Sequence, residues 1–242
     1  MSVLVSRGLT HAYRRTLGRR RSSLAAVDVT VGPGQCLGLV GPNGSGKSTF
    51  LRLCAGVMAP LAGDVEVLGH AAGSRTARRA TGWVPEQLRW PRALTVNDAL
   101  CELAALGSAR GIVGRVDSVC GLLGLGPLLG RRLGSLSRGQ ARRVVIAQAL
   151  LDDPALMLFD EAFSGLDSLV LRDLRDDLAL RLAGGAALVL ATHRVEDLAG
   201  LATEVMALHE GRVTVRGPAG EVLAEAQRRE GLAALLGSED PA

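Results

Sequence analysis

Lys47 is the only lysine among the 28 Lys and Arg residues, and it stands inside Gly41-Pro42-Asn43-Gly44-Ser45-Gly46-Lys47-Ser48. This stretch fits the pattern G-x-x-x-x-G-K-[ST], in which glycines let backbone N–H groups turn inward and an ammonium reaches the β- and γ-phosphates of a nucleotide. A planar guanidinium would not serve that purpose equally well, so a chain that uses arginine everywhere else has kept its one ammonium where phosphate chemistry needs it. Further downstream, Asp160 and Glu161 end the apolar run Leu156 to Phe159, and Thr192-His193 follow a second one, Ala187 to Ala191. One carboxylate of such a pair suits a magnesium ion that bridges phosphates, and the other suits polarisation of an attacking water. Leu136-Ser137-Arg138-Gly139-Gln140 precedes this pair and Ser164-Gly165-Leu166-Asp167 follows it.

These residues need elements to hold them. Cys36 to Val40 reads as a strand entering the phosphate loop, and Ser48 to Ala55 as a helix leaving it with its positive N-terminal end toward the phosphates. Strand-like and helical segments alternate along the chain, which predicts an α/β fold: a P-loop NTPase core with a mostly parallel sheet. Val3 to Arg7, Ala25 to Val31 and Val65 to Leu68 are short β-rich runs and predict an antiparallel β layer beside it. Val96 to Leu106, Val113 to Leu123 and Gln140 to Leu151 predict an inserted helical subdomain, about 88–151. Leu156 to Phe159 would then be a buried strand that sets Asp160 at the carboxyl edge beside the phosphate loop. An amphipathic helix over Leu169 to Leu182, a strand over Ala187 to Ala191 and a hairpin around Glu210-Gly211 complete the core. Pro218 to Leu236 reads as one helix and 238–242 as a frayed tail, which divides the chain into 1–217 and 218–242.

Composition narrows the function. At 242 residues the chain has ample core for independent folding, and its 48% hydrophobic content contains no run near the roughly 18 to 20 residues that cross a bilayer. Met1-Ser-Val-Leu-Val lacks an export signal, so a soluble, cytoplasmic protein is expected. Cys36, Cys54, Cys101 and Cys120 are widely spaced in apolar segments and read as reduced, buried thiols. A net charge of +4 with six aromatics does not point to nucleic acid.

Taken in order, the loop at 41–49, the stretch at 136–140, the strand at 156–161, the turn at 164–167 and His193 resemble the ATP-binding cassette (ABC) family over roughly residues 2–217. The resemblance implies ATP and Mg²⁺. Tyr13, the sole tyrosine, falls where the family stacks an aromatic on adenine. Gly41 to Thr49 would hold the phosphates, Ser48 and Asp160 the metal, and Glu161 would act as general base while His193 holds the γ-phosphate and water in register. Ser137 and Gly139, with Gln140 and Asp167 beside them, resemble residues that meet the ATP of a second cassette. A head-to-tail dimer, homomeric or heteromeric, and a transmembrane permease subunit at the cytoplasmic face of the membrane are therefore implied.

Several positions depart from the family pattern. Arg138 stands where glycine is commonest, Ala162-Phe163 replaces Pro-Thr, Ser168 replaces proline, and Pro85-Glu86-Gln87 replaces Pro-Gln, so either Glu86 or Gln87 fills the metal-sensing place. The Pro-Glu pair, the single cassette and the lack of a long C-terminal domain resemble stand-alone exporter ATPases more than sugar-importer ATPases. A non-transport cassette acting as a nucleotide-gated clamp is the alternative. Arg14, Arg15, Arg19, Arg20 and Arg21 form a basic cluster that would touch an anion or simply be solvated. Leu88, Trp90, Leu94 and Val96 would either line a groove for a membrane subunit's helix or face the helical segment's own core.

Overall fold

The computed structural model describes residues 2–14, 20–88, 90–107 and 112–228. Arg15, Arg19, the tail and the expected helix beyond Arg228 lie outside the described residues. Ten strands and seven helices follow one another within them. Six strands form the central sheet in the order β10-β9-β3-β8-β7-β6: β3 (Cys36–Val40), β6 (Thr81–Val84), β7 (Leu156–Asp160), β8 (Ala187–Thr192), β9 (Glu204–His209) and β10 (Arg212–Pro218). All neighbours pair in parallel except β9 and β10. That pair is the expected hairpin, with Glu210 at φ 47° and Gly211 at φ 80°, the left-handed values a two-residue turn needs.

Why these strands lie at the centre is written in their side chains. Cys36 and Val40 of β3, Met157 and Phe159 of β7, and Leu188 and Leu190 of β8 enter one core, while Leu37, Leu39, Leu156, Leu158, Val189 and Ala191 enter another. Apolar residues on both faces of an extended chain require cover on both faces. The first face takes α3 (Val96–Leu106), α4 (Ile112–Leu122), α5 (Arg138–Leu150) and α6 (Ser168–Ala183); the second takes α1 (Lys47–Cys54) and an antiparallel sheet. That sheet orders β2-β1-β4-β5, with β1 at Leu4–Arg14, β2 at Arg20–Val31, β4 at Ala62–Val67 and β5 at His70–Ala71. Phe50 and Phe159 are fully buried, one in each core. Burial of this kind contributes about 1.5–3 kcal/mol per large side chain.

Helix α6 buries Val170, Leu174, Leu178 and Leu182, one stripe at a spacing of four, as its amphipathic pattern predicts. Three short elements extend the expected list: β5, α2 (Arg75–Arg79), capped by Ser74, and β6. The final described helix is α7 (Ala219–Arg228). Among the described residues no helix is long and apolar enough to cross a membrane. Cys36, Cys54 and Cys120 are buried free thiols, and burial pushes Cys36 up to about 12, whereas Cys101 is only half-buried.

Asp160 stands at the carboxyl edge beside the phosphate loop, where Ser48 hydrogen-bonds it, although its strand is not the immediate neighbour of the strand that enters the loop. Strand β8 runs between β3 and β7, pairing Val40 with Thr192 and Asp160 with Ala191. The three strand ends still share one carboxyl edge, where ligands of open α/β sheets bind.

The two readings of Leu88, Trp90, Leu94 and Val96, groove or core, divide between these residues. Val96 is fully buried, Trp90 and Leu94 pack against the helical core, and only Leu88, at 42% exposure, faces outward. Core packing explains three of the four. Trp90→Glu should therefore cost about 2–3 kcal/mol and lower the Tm clearly, by analogy with Trp truncation in cores. A variant with the wild-type melting temperature would restore the groove.

Candidate active site

The phosphate loop connects β3 to α1, and its backbone leaves no room for side chains at two points. A Cβ on Gly41 would lie 2.3 Å from the Leu208 carbonyl, and one on Gly46, at φ 114°, 2.4 Å from the Ser23 carbonyl. Gly46→Ala should thus lose nucleotide affinity and about 1–3 kcal/mol of stability, read by titration of an ATP analogue and by Tm. Unchanged values in both would show that the loop has slack.

Helices α2, α3, α5 and α6 begin at Ser74, Thr95, Ser137 and Asp167, whose side chains accept a helix N–H. Helix α1 begins at Gly46 with no side-chain cap. Its first amides are therefore donors without intrahelical acceptors, at the positive end of the helix dipole. Lys47 is the first residue of that helix. Its Nζ folds back to donate to the carbonyls of Gly41 (2.6 Å) and Pro42 (3.2 Å). The side chain is buried, and this burial lowers its pKa against the pull of Glu161, Asp160 and Glu86. A group in this position gains from any anion that arrives.

Asp160, at the end of β7, is 2% exposed, and its Oδ1 has no hydrogen-bond partner among the described residues. Burial raises its pKa and the Glu86 and Glu161 carboxylates add to that, while a hydrogen bond from Ser48 and the charge of Lys47 oppose it. An orphaned carboxylate oxygen beside a hydroxyl is a hard oxygen donor set, which fits Mg²⁺ rather than a softer metal. Glu161 follows at φ 50°, its N–H bound to the Ala191 carbonyl, and its Oε2 accepts from His193 Nδ1 at 2.8 Å. His193 leaves β8 through a turn fixed by Thr192, whose Oγ1 donates to Asp197 and accepts the Arg194 N–H. Glu161 and His193 are thus aligned by contacts from two strands.

Tyr13 is the penultimate residue of β1. Its hydroxyl lies 3.2 Å from Thr49 Oγ1, and its ring packs edge-on against His11 at 4.8 Å. With Asn43 to Thr49, Glu86, Gln87, Asp160, Glu161 and His193 it lines a single cleft of about 1260 Å³. The structure thus gathers the expected phosphate, metal and water-activating residues in one place. Glu86 and Gln87 both line the cleft, and the charge of Glu86 reaches Lys47 and Asp160.

Six expected residues do not line the cleft: Gly41 and Pro42 give their carbonyls to Lys47 Nζ instead, and four others stand at the starts of α5 and α6. Ser137 and Gln140 form a capping box at the start of α5, Asp167 caps α6 and pairs with Arg143, and Gly139 packs against the Gly165 carbonyl. None of them lines the cleft; their neighbours Arg138, Ser164 and Gly165 do. Arg142 is the charged cleft residue that the sequence did not point to. From α5 it donates 2.7 Å bonds to the carbonyls of Pro85 and Glu86.

The family model described as ABC transporter matches residues 24–164, more than half of the chain. A Nod factor export ATP-binding protein I from Rhizobium sp. (strain N33) is 36% identical over 192 residues, which are 78% of this chain and 63% of that protein. The molybdenum import ATP-binding protein ModC of Mesorhizobium japonicum is 33% identical over 226 residues, 88% of this chain and 60% of that protein. The chain therefore spans less than two thirds of the length of either relative. A solved ATP binding subunit of an ABC transporter superposes with a TM-score of 0.81 at 27% identity, covering 98% of this chain and 95% of the other. Cleft and comparisons agree, and the chain belongs to the ABC transporter family as an ATP-binding cassette.

Proposed function

We propose that this chain is the ATP-hydrolysing subunit of a membrane transporter. The observation that carries the reading is the buried Lys47 ammonium, held on loop carbonyls in the same cleft as the orphaned oxygen of Asp160 and the His193-aligned Glu161. Tyr13 offers its ring to adenine, and Lys47 exchanges its carbonyl partners for the β- and γ-phosphates. The amides of 43–49 donate to the remaining phosphate oxygens. Ser48 and Asp160 would hold Mg²⁺, which when bound neutralises charge on the phosphate oxygens. Glu161 takes a proton from the attacking water, and His193 keeps that carboxylate oriented.

The surface formed by Ser137, Gly139, Gln140 and Asp167 serves the ATP of a second cassette, because it stands outside its own cleft. The cassette so defined spans 1–217, with 88–151 as its helical arm. A transmembrane permease subunit would hold it at the cytoplasmic face of the membrane. Of the two transport directions we favour export, which the Pro85-Glu86 pair supports; relatives named for export and for import both resemble the chain.

The test is stabilisation by ligand. MgATP at about 100 times its Kd should stabilise the protein by about 2.7 kcal/mol, and Lys47→Ala should abolish the shift. A wild-type melting curve unmoved by MgATP would remove the nucleotide from this account.

A further inference from the structure

Arg142 lies on α5, five residues after Ser137, and faces the phosphate cleft rather than solvent alone. Its two terminal nitrogens donate to consecutive main-chain carbonyls, Nη1 to Pro85 and Nη2 to Glu86, each at 2.7 Å. A planar fork that grips two adjacent carbonyls fixes both the position and the direction of the backbone, which a lysine ammonium cannot do. The loop gripped in this way begins where β6 ends, at Val84, so no sheet ladder holds it. What the fork holds in place is Glu86, a carboxylate near Lys47 and Asp160.

Charge gives the same residue a second role. Asp160, Glu161 and Glu86 bring three carboxylates to a cleft that must receive an anionic nucleotide. Burial of the Arg142 guanidinium opposes its charge, and those same three carboxylates favour it. The cation and the acids are therefore mutually compensating, and removing one leaves the other exposed to its burial cost.

We infer that Arg142 is a positioning residue: it clamps the loop that presents Glu86 to the phosphates and supplies the positive charge that lets a carboxylate occupy that loop. Because the clamp comes from α5, it also ties the cleft to the helix whose first turn carries Ser137. The inference rests on the cleft being a MgATP site, and one arm of the test is independent of nucleotide.

The experiment uses the full chain with Arg142→Met, Arg142→Lys, Glu86→Gln and the Arg142→Met/Glu86→Gln double variant. Calorimetry with Mg²⁺ and a non-hydrolysable ATP analogue gives Kd; phosphate release gives kcat and KM; amide exchange in nucleotide-free protein reads the loop over 85–88. Arg142→Met should raise Kd and KM at least about tenfold, and adding Glu86→Gln should recover most of that loss, the signature of two coupled charges. Arg142→Lys should keep Kd near wild type, yet exchange faster across 85–88 and turn over more slowly. Loss of affinity in Arg142→Met that Glu86→Gln does not relieve would overturn the charge role, and unchanged exchange in Arg142→Lys would overturn the clamp. If Arg142→Met does not fold, Arg142→Lys still judges the clamp by exchange over 85–88, and Glu86→Gln alone, which removes a carboxylate that the cation offsets, should bind the analogue at least as tightly as the wild type; weaker binding would overturn the charge role. A wild type that binds no analogue sinks the MgATP reading, while the exchange arm continues to judge the clamp.

Discussion

Glu161→Gln should bind MgATP as tightly as the wild type and hydrolyse it at least about 100-fold more slowly, the range expected for a lost general base. The amide keeps the size of the carboxylate and can still meet His193, but it has no lone-pair charge with which to take a proton from water. Lys47→Ala should fail in the opposite order. The Lys47 ammonium contacts phosphate in the ground state as well as in the transition state, so its removal raises Kd first. It also leaves Asp160, Glu161 and Glu86 without the buried cation whose charge they act on. A fluorescent ATP analogue titrated against both variants, with phosphate release measured in parallel, separates the two roles. Equal loss of binding in both would contradict the assignment.

A second large effect is expected in mass. Glu161→Gln given MgATP should become a dimer, because each cassette would meet the other's γ-phosphate through the capped start of α5 and nothing would hydrolyse the bridge. Ser137 is exposed and stands outside the cleft of its own chain, with Gly139 packed against the Gly165 carbonyl behind it. Light scattering should show a doubled mass with ATP and the monomer mass with ADP. Ser137→Arg should abolish doubling by placing a bulky side chain at the contact. A monomer under all conditions would point to a different second cassette.

The phosphate loop was legible in the sequence because phosphate chemistry dictates its residue types at a fixed local spacing, although the carbonyls that demand glycine at Gly41 and Gly46 belong to the distant Leu208 and Ser23. The central strands were legible for a similar reason: runs such as Leu156 to Phe159 are apolar on both faces and must be buried. Strand order was not legible, since nothing in a strand's own residues states that β8 separates β3 from β7. Strand β6 escaped notice because four residues give no periodicity, and Gly82 within it answers to the Ala149 carbonyl, 2.1 Å from where a Cβ would stand. Strand β1 runs on to Arg14, past the expected end at Arg7, because a register shift at Gly8, φ 55°, breaks the alternation. Arg142 escaped for a different reason. Its partners are main-chain carbonyls 56 and 57 residues away, which carry no side-chain signature. The Glu161–His193 contact spans 32 residues and could be named only as two separate roles.

Whether water activated at Glu161 cleaves ATP in this cleft is decided by the fate of a single bound nucleotide. Protein in excess over γ-labelled ATP with Mg²⁺ should convert the bound label to free phosphate in the wild type, while Glu161→Gln should retain the label as intact, bound ATP. Release of phosphate at the same rate from both proteins, or intact ATP in both, would contradict the account.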